Sequence, residues 1–298
     1  PDGAVLYVAR GHLGDVAAFD IASGEVIWRR AIPGIRADHM TLSPDGRRLY
    51  VSALTANVVV AIDAESGRIT GDFATGTWPH DNHMSKDGKR IYNASIGDLR
   101  RTDLLGKPLD KHDEEDPRQF LITVADAQTL EVLDEFPFAA GVRPFQLNTD
   151  ESVAYLQLSN THSIVSYDLN GRRIANRIDL PVNDGVQVHD WDFQAPHHGL
   201  ALSPDGELLC AAGRASDYAA VVRAEDLSLL GTIAVGDAPS WSEITEGGDV
   251  CVVANTRSDD VSLVSLSGLN EIARLKTGDG PKHISIGRVP ELVLARFE

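Results

Sequence analysis

The sequence predicts an all-β fold, a β-propeller of four-stranded blades, and two observations predict it. The first is a recurring phrase: an apolar run, a tight turn and a second apolar run. It stands at Ser43-Pro44-Asp45-Gly46, at Ser85-Lys86-Asp87-Gly88 and at Ser203-Pro204-Asp205-Gly206. Pro presets one turn dihedral and Gly tolerates positive φ, so each copy reads as a hairpin turn. The second observation is the period. The turn-glycine column falls at Gly3, Gly46, Gly88, Ser152, Gly206, Gly248 and, degenerately, Pro290, with spacings of 43, 42, 64, 54, 42 and 42. A period of about 42 residues made of short alternating strands, with no convincing helix, is the length of a four-stranded blade.

Taken in order, one unit has an inner strand at 37–43, a second at 47–53, a third at 57–63 and an outer fourth at 68–74, with Ser66-Gly67 turning between the last two. Third strands of the other units fall at 15–21, 120–126, 163–169, 218–224 and 260–266. The sequence starts with strands two to four of a blade and closes with a first strand at 282–287, which predicts one domain over 1–298. In that arrangement six blades form a ring sealed by the C-terminal strand. A seven-bladed ring would instead give a place to 291–297, which reads as a surplus strand. The two long intervals hold insertions, a charged one at 97–118 and one at 183–194 that carries His189-Asp190-Trp191-Asp192. The second reads as a lid or binding loop because it directly precedes an inner strand.

Composition bounds the function. At 43% hydrophobic and 24% charged, the chain reads as an ordinary soluble globular protein. No window approaches the roughly 18 unbroken apolar residues of a membrane helix. A net charge of −17 argues against sequence-independent nucleic-acid binding, which needs many Lys and Arg contacts to phosphate. The compartment stays open between the cytoplasm and secretion with a leader outside this sequence. Cys210 and Cys251 sit one position out of register in neighbouring copies of one strand, so they are expected to face opposite ways, with neither a disulfide nor a metal pair between them.

The chain resembles the YVTN-type β-propeller repeat family. Its blades carry a Pro-His-x-Ile-Ala-Val-Ser-Pro-Asp-Gly-Lys-x-Leu-Tyr-Val phrase and a Val-x-Val-Ile-Asp-x-x-Thr-Gly phrase, matched here at 42–51, 58–67 and 196–209. The resemblance speaks to fold far more than to function, since such propellers serve as lyases, lactonases, electron-transfer partners and scaffolds. Locally, Pro281-Lys282-His283 and Pro196-His197-His198 are similar to propeller lactonases and streptogramin-type lyases, where axial His and Glu residues carry acid/base chemistry.

In a propeller the innermost strands bring one side chain per blade to the axis. The chain has ten histidines, and six lie in these strands: His39, His80, His83, His197, His198 and His283. A metal site drawn from His39, His80, His83, His198 and His283 is expected, holding a divalent transition ion such as Zn, Fe, Mn or Cu. Glu243, His198 and His283 are the candidate catalytic residues, and Arg143, Trp241, Lys282 and His189 the candidate substrate contacts. The expected function is a lyase or lactonase-like acid/base enzyme acting on a small polar molecule, with a metal-free acid/base version also open. The alternative is a noncatalytic scaffold that binds a protein or cell-surface partner through Trp78, Trp191 and Trp241. Equally, the histidines could simply cap strand ends and hydrogen-bond across blades.

Overall fold

Each turn phrase is locked by its own side chains. Ser43 Oγ donates to Asp45 Oδ1 at 2.6 Å and accepts the Arg48 amide at 2.9 Å, while Gly46 takes φ 71°. Ser85 with Asp87 and Ser203 with Asp205 repeat the arrangement. These turns join strands into antiparallel sheets in the computed structural model, which describes residues 3–101 and 118–295. The described strands make six sheets in a propeller-like all-β arrangement, five of four strands and one of three. No helix among the described residues is long and apolar enough to cross a membrane.

Contacts group the chain into two units. The first holds the three-stranded sheet β1 (Val5–Arg10), β2 (Asp15–Asp20) and β3 (Val26–Ala31), as expected for a blade that begins at its second strand. Next come β4 (Ala37–Leu42), β5 (Arg48–Ala53), β6 (Val58–Asp63) and β7 (Ile69–Ala74), then β8 (Pro79–Met84), β9 (Arg90–Ser95), β10 (Leu121–Asp126) and β11 (Val132–Pro137). Its core lies between successive sheets, where Val16 of β2 packs with Val51, Val60 and Ile62, and Tyr7 and Trp28 cover the edge.

The second unit holds three four-stranded sheets. They are β12 (Val142–Leu147), β13 (Val153–Leu158), β14 (Ser163–Asp168) and β15 (Arg173–Asp179); β16 (Leu200–Leu202), β17 (Leu208–Gly213), β18 (Tyr218–Arg223) and β19 (Leu229–Ala234); and β20 (Pro239–Ile244), β21 (Val250–Asn255), β22 (Asp260–Ser265) and β23 (Asn270–Lys276). Cys210, Val221, Val253 and Val264 lie in its core.

Inner strands are irregular in a repeated way. β4 meets β5 at Ala37↔Ala53 and again at Met40↔Val51, so β4 carries one extra residue around Asp38-His39. The same shift appears in β8 between Pro79 and Asn82, in β12 between Val142 and Phe145, and in β20 between Pro239 and Trp241. Such bulges re-aim side chains locally. They place Asp38-His39, His80-Asp81, Arg143 and Ser240 at equivalent kinks. In the remaining blade of the second unit β16 is short, and Gly199 (φ 125°) precedes it against β20. A Cβ there would lie 2.7 Å from the Trp241 Cα, so no other residue fits.

Several expectations are corrected. Cys210 and Cys251 are disulfide-bonded, with Cα atoms 6.5 Å apart. Stacked sheets meet through opposite faces, so the one-position offset that was expected to separate the two sulfurs is what turns them toward each other. Residues 282–287 form no strand, and among the described strands β1 pairs only with β2. This segment is held by individual contacts: the Thr256 hydroxyl donates to Pro281 O at 2.8 Å, and His283 stacks on Trp241. Arg288 then passes over Gly3 so closely that a Cβ on Gly3 would lie 1.8 Å from the Arg288 carbonyl oxygen. Where a strand was expected over 291–297, the described residues form a short helix, α1 (Glu291–Leu294), started by Pro290, whose carbonyl accepts the Val293 amide at 2.8 Å. Residues 102–117 of the charged insertion lie outside the described residues.

Candidate functional site

In the first unit two dipeptides, Asp38-His39 on β4 and His80-Asp81 on β8, face each other in mirrored order. His80 is 42 residues from Asp38, and Asp81 is 42 from His39, so one blade period sets each acid opposite an imidazole. His80 Nδ1 lies 3.1 Å from Asp38 Oδ2, and His39 Nδ1 lies 3.1 Å from Asp81 Oδ1. The rings lie with centroids 4.0 Å apart, tilted by 53° to each other. His39, His80 and Asp81 are buried. His83 comes from the same strand as Asp81, and its Nε2 lies 3.0 Å from Asp81 Oδ2, so Asp81 joins two imidazoles.

A carboxylate can only accept. The Nδ1 atoms of His39 and His80 are therefore the protonated ones, and Nε2 is the basic nitrogen in each neutral ring. Burial opposes the charge of Asp38, yet His80, His39 and Arg36 hold its carboxyl well below the usual range. Burial likewise opposes Asp81, and His83 and His39 hold it well below that range. A buried polar network fixes the pair from behind. Asn82 Nδ2 donates to His39 O at 3.0 Å and to Ser52 Oγ at 2.9 Å, and Asn93 Nδ2 donates to Asn82 Oδ1 at 3.0 Å. Fully satisfied networks of this kind specify one geometry.

In the second unit His198 is buried just before β16, and its Nδ1 donates to Ser240 O at 2.9 Å. It carries the same tautomer as His39 and His80, and each of these three buried histidines offers a ring nitrogen of the kind that a metal ion takes. Trp241 spans the two neighbouring imidazoles, 5.9 Å from His198 and 4.2 Å from His283 between ring centroids. Trp241 Nε1 donates to Glu243 Oε1 at 3.1 Å. His283 is exposed, and Lys282 places Nζ 5.8 Å from the Phe193 ring centroid. Arg143 is fully buried; its Nε donates to Ser159 Oγ at 2.8 Å and its NH2 to the Phe193 carbonyl, so it anchors the 183–194 loop. His189 lies exposed in a turn of that loop, Val188–Asp190.

Of the five expected ligands, His39 and His80 lie together in the first unit and His198 is buried in the second. His83 instead spends Nε2 on Asp81, and His283 lies at the surface on Trp241. Asp38 and Asp81 were not singled out from the sequence, although the mirrored Asp-His and His-Asp pairs one period apart carried the signal.

The sequence also gave no warning of a second imidazole cluster. His197 Nε2 lies 2.9 Å from Tyr218 Oη, which donates to Pro181 O at 2.7 Å. His162 stands edge-on to both His197 and Trp191, with centroids 4.9 and 5.0 Å away. Neither ring nitrogen of His162 has a hydrogen-bond partner. Burial, and then the neighbouring His162, push His197 down to about 3. Burial also lowers His162 and raises Tyr218.

No protein-family profile and no curated protein matches this sequence.

Proposed function

We propose that the chain is a metal-dependent enzyme on a YVTN-type propeller scaffold, with His39 and His80 as ligands of one divalent transition ion. The observation that carries this reading is the shared tautomer. Both imidazoles are buried and commit Nδ1–H to a carboxylate, Asp81 or Asp38, so each keeps Nε2 basic. Carboxylate–histidine–metal relays have this form, in which the outer acceptor fixes the ring and raises its basicity. An all-imidazole set suits Zn, Fe, Mn or Cu.

A bound ion would polarise a carbonyl oxygen or lower the pKa of a water molecule. The chain's own part is to orient the ligands through Asp38 and Asp81. The reaction class in this reading is lyase or lactonase-like chemistry on a small polar molecule.

The test is metal affinity, measured by competition with a chromophoric chelator. His80→Ala is expected to abolish stoichiometric binding. Asp38→Asn, which keeps the shape of the side chain, should weaken binding by about 10–100-fold, as expected for an outer partner of a ligand. Wild-type affinity in His80→Ala would overturn the reading.

A further inference from the structure

The 183–194 loop carries Asp192 near its end, and Asp192 Oδ2 accepts from Arg214 NH2 at 2.7 Å and from Arg257 NH2 at 2.9 Å. Two guanidiniums therefore share one oxygen of one carboxylate, a local excess of positive charge in a chain of net charge −17. Burial opposes the charge of Asp192, and the two arginines hold its carboxyl below the usual range. The Arg214 side chain is only 9% exposed, and its Nε is buried without a hydrogen-bond partner. Its NH1 donates to Ser240 Oγ.

A guanidinium presents Nε–H and one NH2 as a parallel fork that fits both oxygens of a carboxylate. Asp192 meets that edge with a single oxygen and leaves Nε unused. An unpaired buried donor is unfavourable, so the site is incomplete as it stands. Ser240 ties it to His198, because its hydroxyl accepts from Arg214 while its carbonyl accepts from His198 Nδ1 at 2.9 Å.

We propose that Arg214, assisted by Arg257, is the carboxylate-binding subsite of a small anionic substrate. The substrate's carboxylate takes the Nε–NH2 edge of Arg214, and Asp192 withdraws to Arg257. Asp192 is thus a resident competitor, and the loop that carries it closes the subsite when no substrate is bound. The substrate class rests on the metal-enzyme reading above, but anion binding by Arg214 does not require the metal.

The experiment is isothermal titration of the full, chelator-washed, metal-free chain with succinate and, separately, with inorganic phosphate. Working without metal separates this proposal from the metal reading, which stands or falls on His80→Ala. Asp192→Asn is expected to tighten succinate binding at least about tenfold, and Arg214→Gln to remove it in either background. If Asp192→Asn does not fold, Arg257→Ala, at a half-exposed position, carries the test; it leaves Asp192 to Arg214 alone and should weaken succinate binding. Succinate binding that persists in Arg214→Gln, or that is absent from wild type and Asp192→Asn alike, would overturn the subsite. Tighter binding of phosphate than of succinate would overturn the carboxylate assignment.

Discussion

The two imidazole clusters solve the burial of histidine in opposite ways. In the first unit, His39, His80 and His83 are set against Asp38 and Asp81, and the carboxylates stay ionised despite being buried. In the second, His162 and His197 are set against Trp191 and Tyr218 with no carboxylate partner, and both are held neutral. The difference follows from the blade period. Asp38 and Asp81 stand one repeat from an imidazole, whereas the interval before His197 is 54 residues and the equivalent position one repeat earlier holds Arg143, not a carboxylate. A buried histidine therefore has no fixed chemistry; the residue one repeat away decides whether it becomes half of an ion pair or an apolar ring.

The contrast predicts its largest effect at Asp81. Asp81→Ala leaves two imidazoles without their acceptor and is expected to cost about 3–5 kcal/mol, the range for breaking a buried pair. Asp38→Ala, which removes one imidazole hydrogen bond, that of His80, should cost less. Denaturant unfolding of both variants checks the order, and equal, sub-kilocalorie effects would erase the distinction between the clusters.

Acid sharpens the comparison further. His197 has a folded pKa of about 3, below its unfolded value near 6.5, so the unfolded chain binds the extra proton first. Its contribution is complete above pH 6.5 and is lost as pH falls from there toward 3, by about 1.4 kcal/mol per unit. His162, lowered by burial, acts in the same direction. Asp38 and Asp81 are held low, so their contribution survives through this window and is lost only below the ordinary carboxylate range near 4. Unfolding measured from pH 7 to 4 should therefore show a slope that His197→Gln reduces. An unchanged slope in that variant would assign the acid sensitivity elsewhere.

Most of the strand framework was legible because it follows from the turn chemistry and the period. The strands at 37–43, 47–53, 57–63 and 68–74 form within one residue of expectation, as do the third strands of the other sheets. What stayed hidden depends on side-chain direction. The extra residue in β4 and β8 leaves the period unchanged but turns Asp38-His39 and His80-Asp81 toward each other. The same geometry of opposing faces concealed the Cys210–Cys251 bond. Near the C-terminus, 282–287 has alternating character, but Gly278, Gly280 and Pro281 precede it and Gly287 and Pro290 follow, and side-chain contacts rather than a ladder hold it. Arg214 left no motif, because its significance lies in meeting Asp192 and Ser240 across the fold.

The most direct measurement of the central claim is zinc-edge X-ray absorption on the stoichiometrically loaded chain. The account predicts a first shell of nitrogen at about 2.0 Å with outer-shell imidazole scattering that falls in His80→Ala. A first shell without imidazole scattering, or one unchanged in His80→Ala, would contradict it.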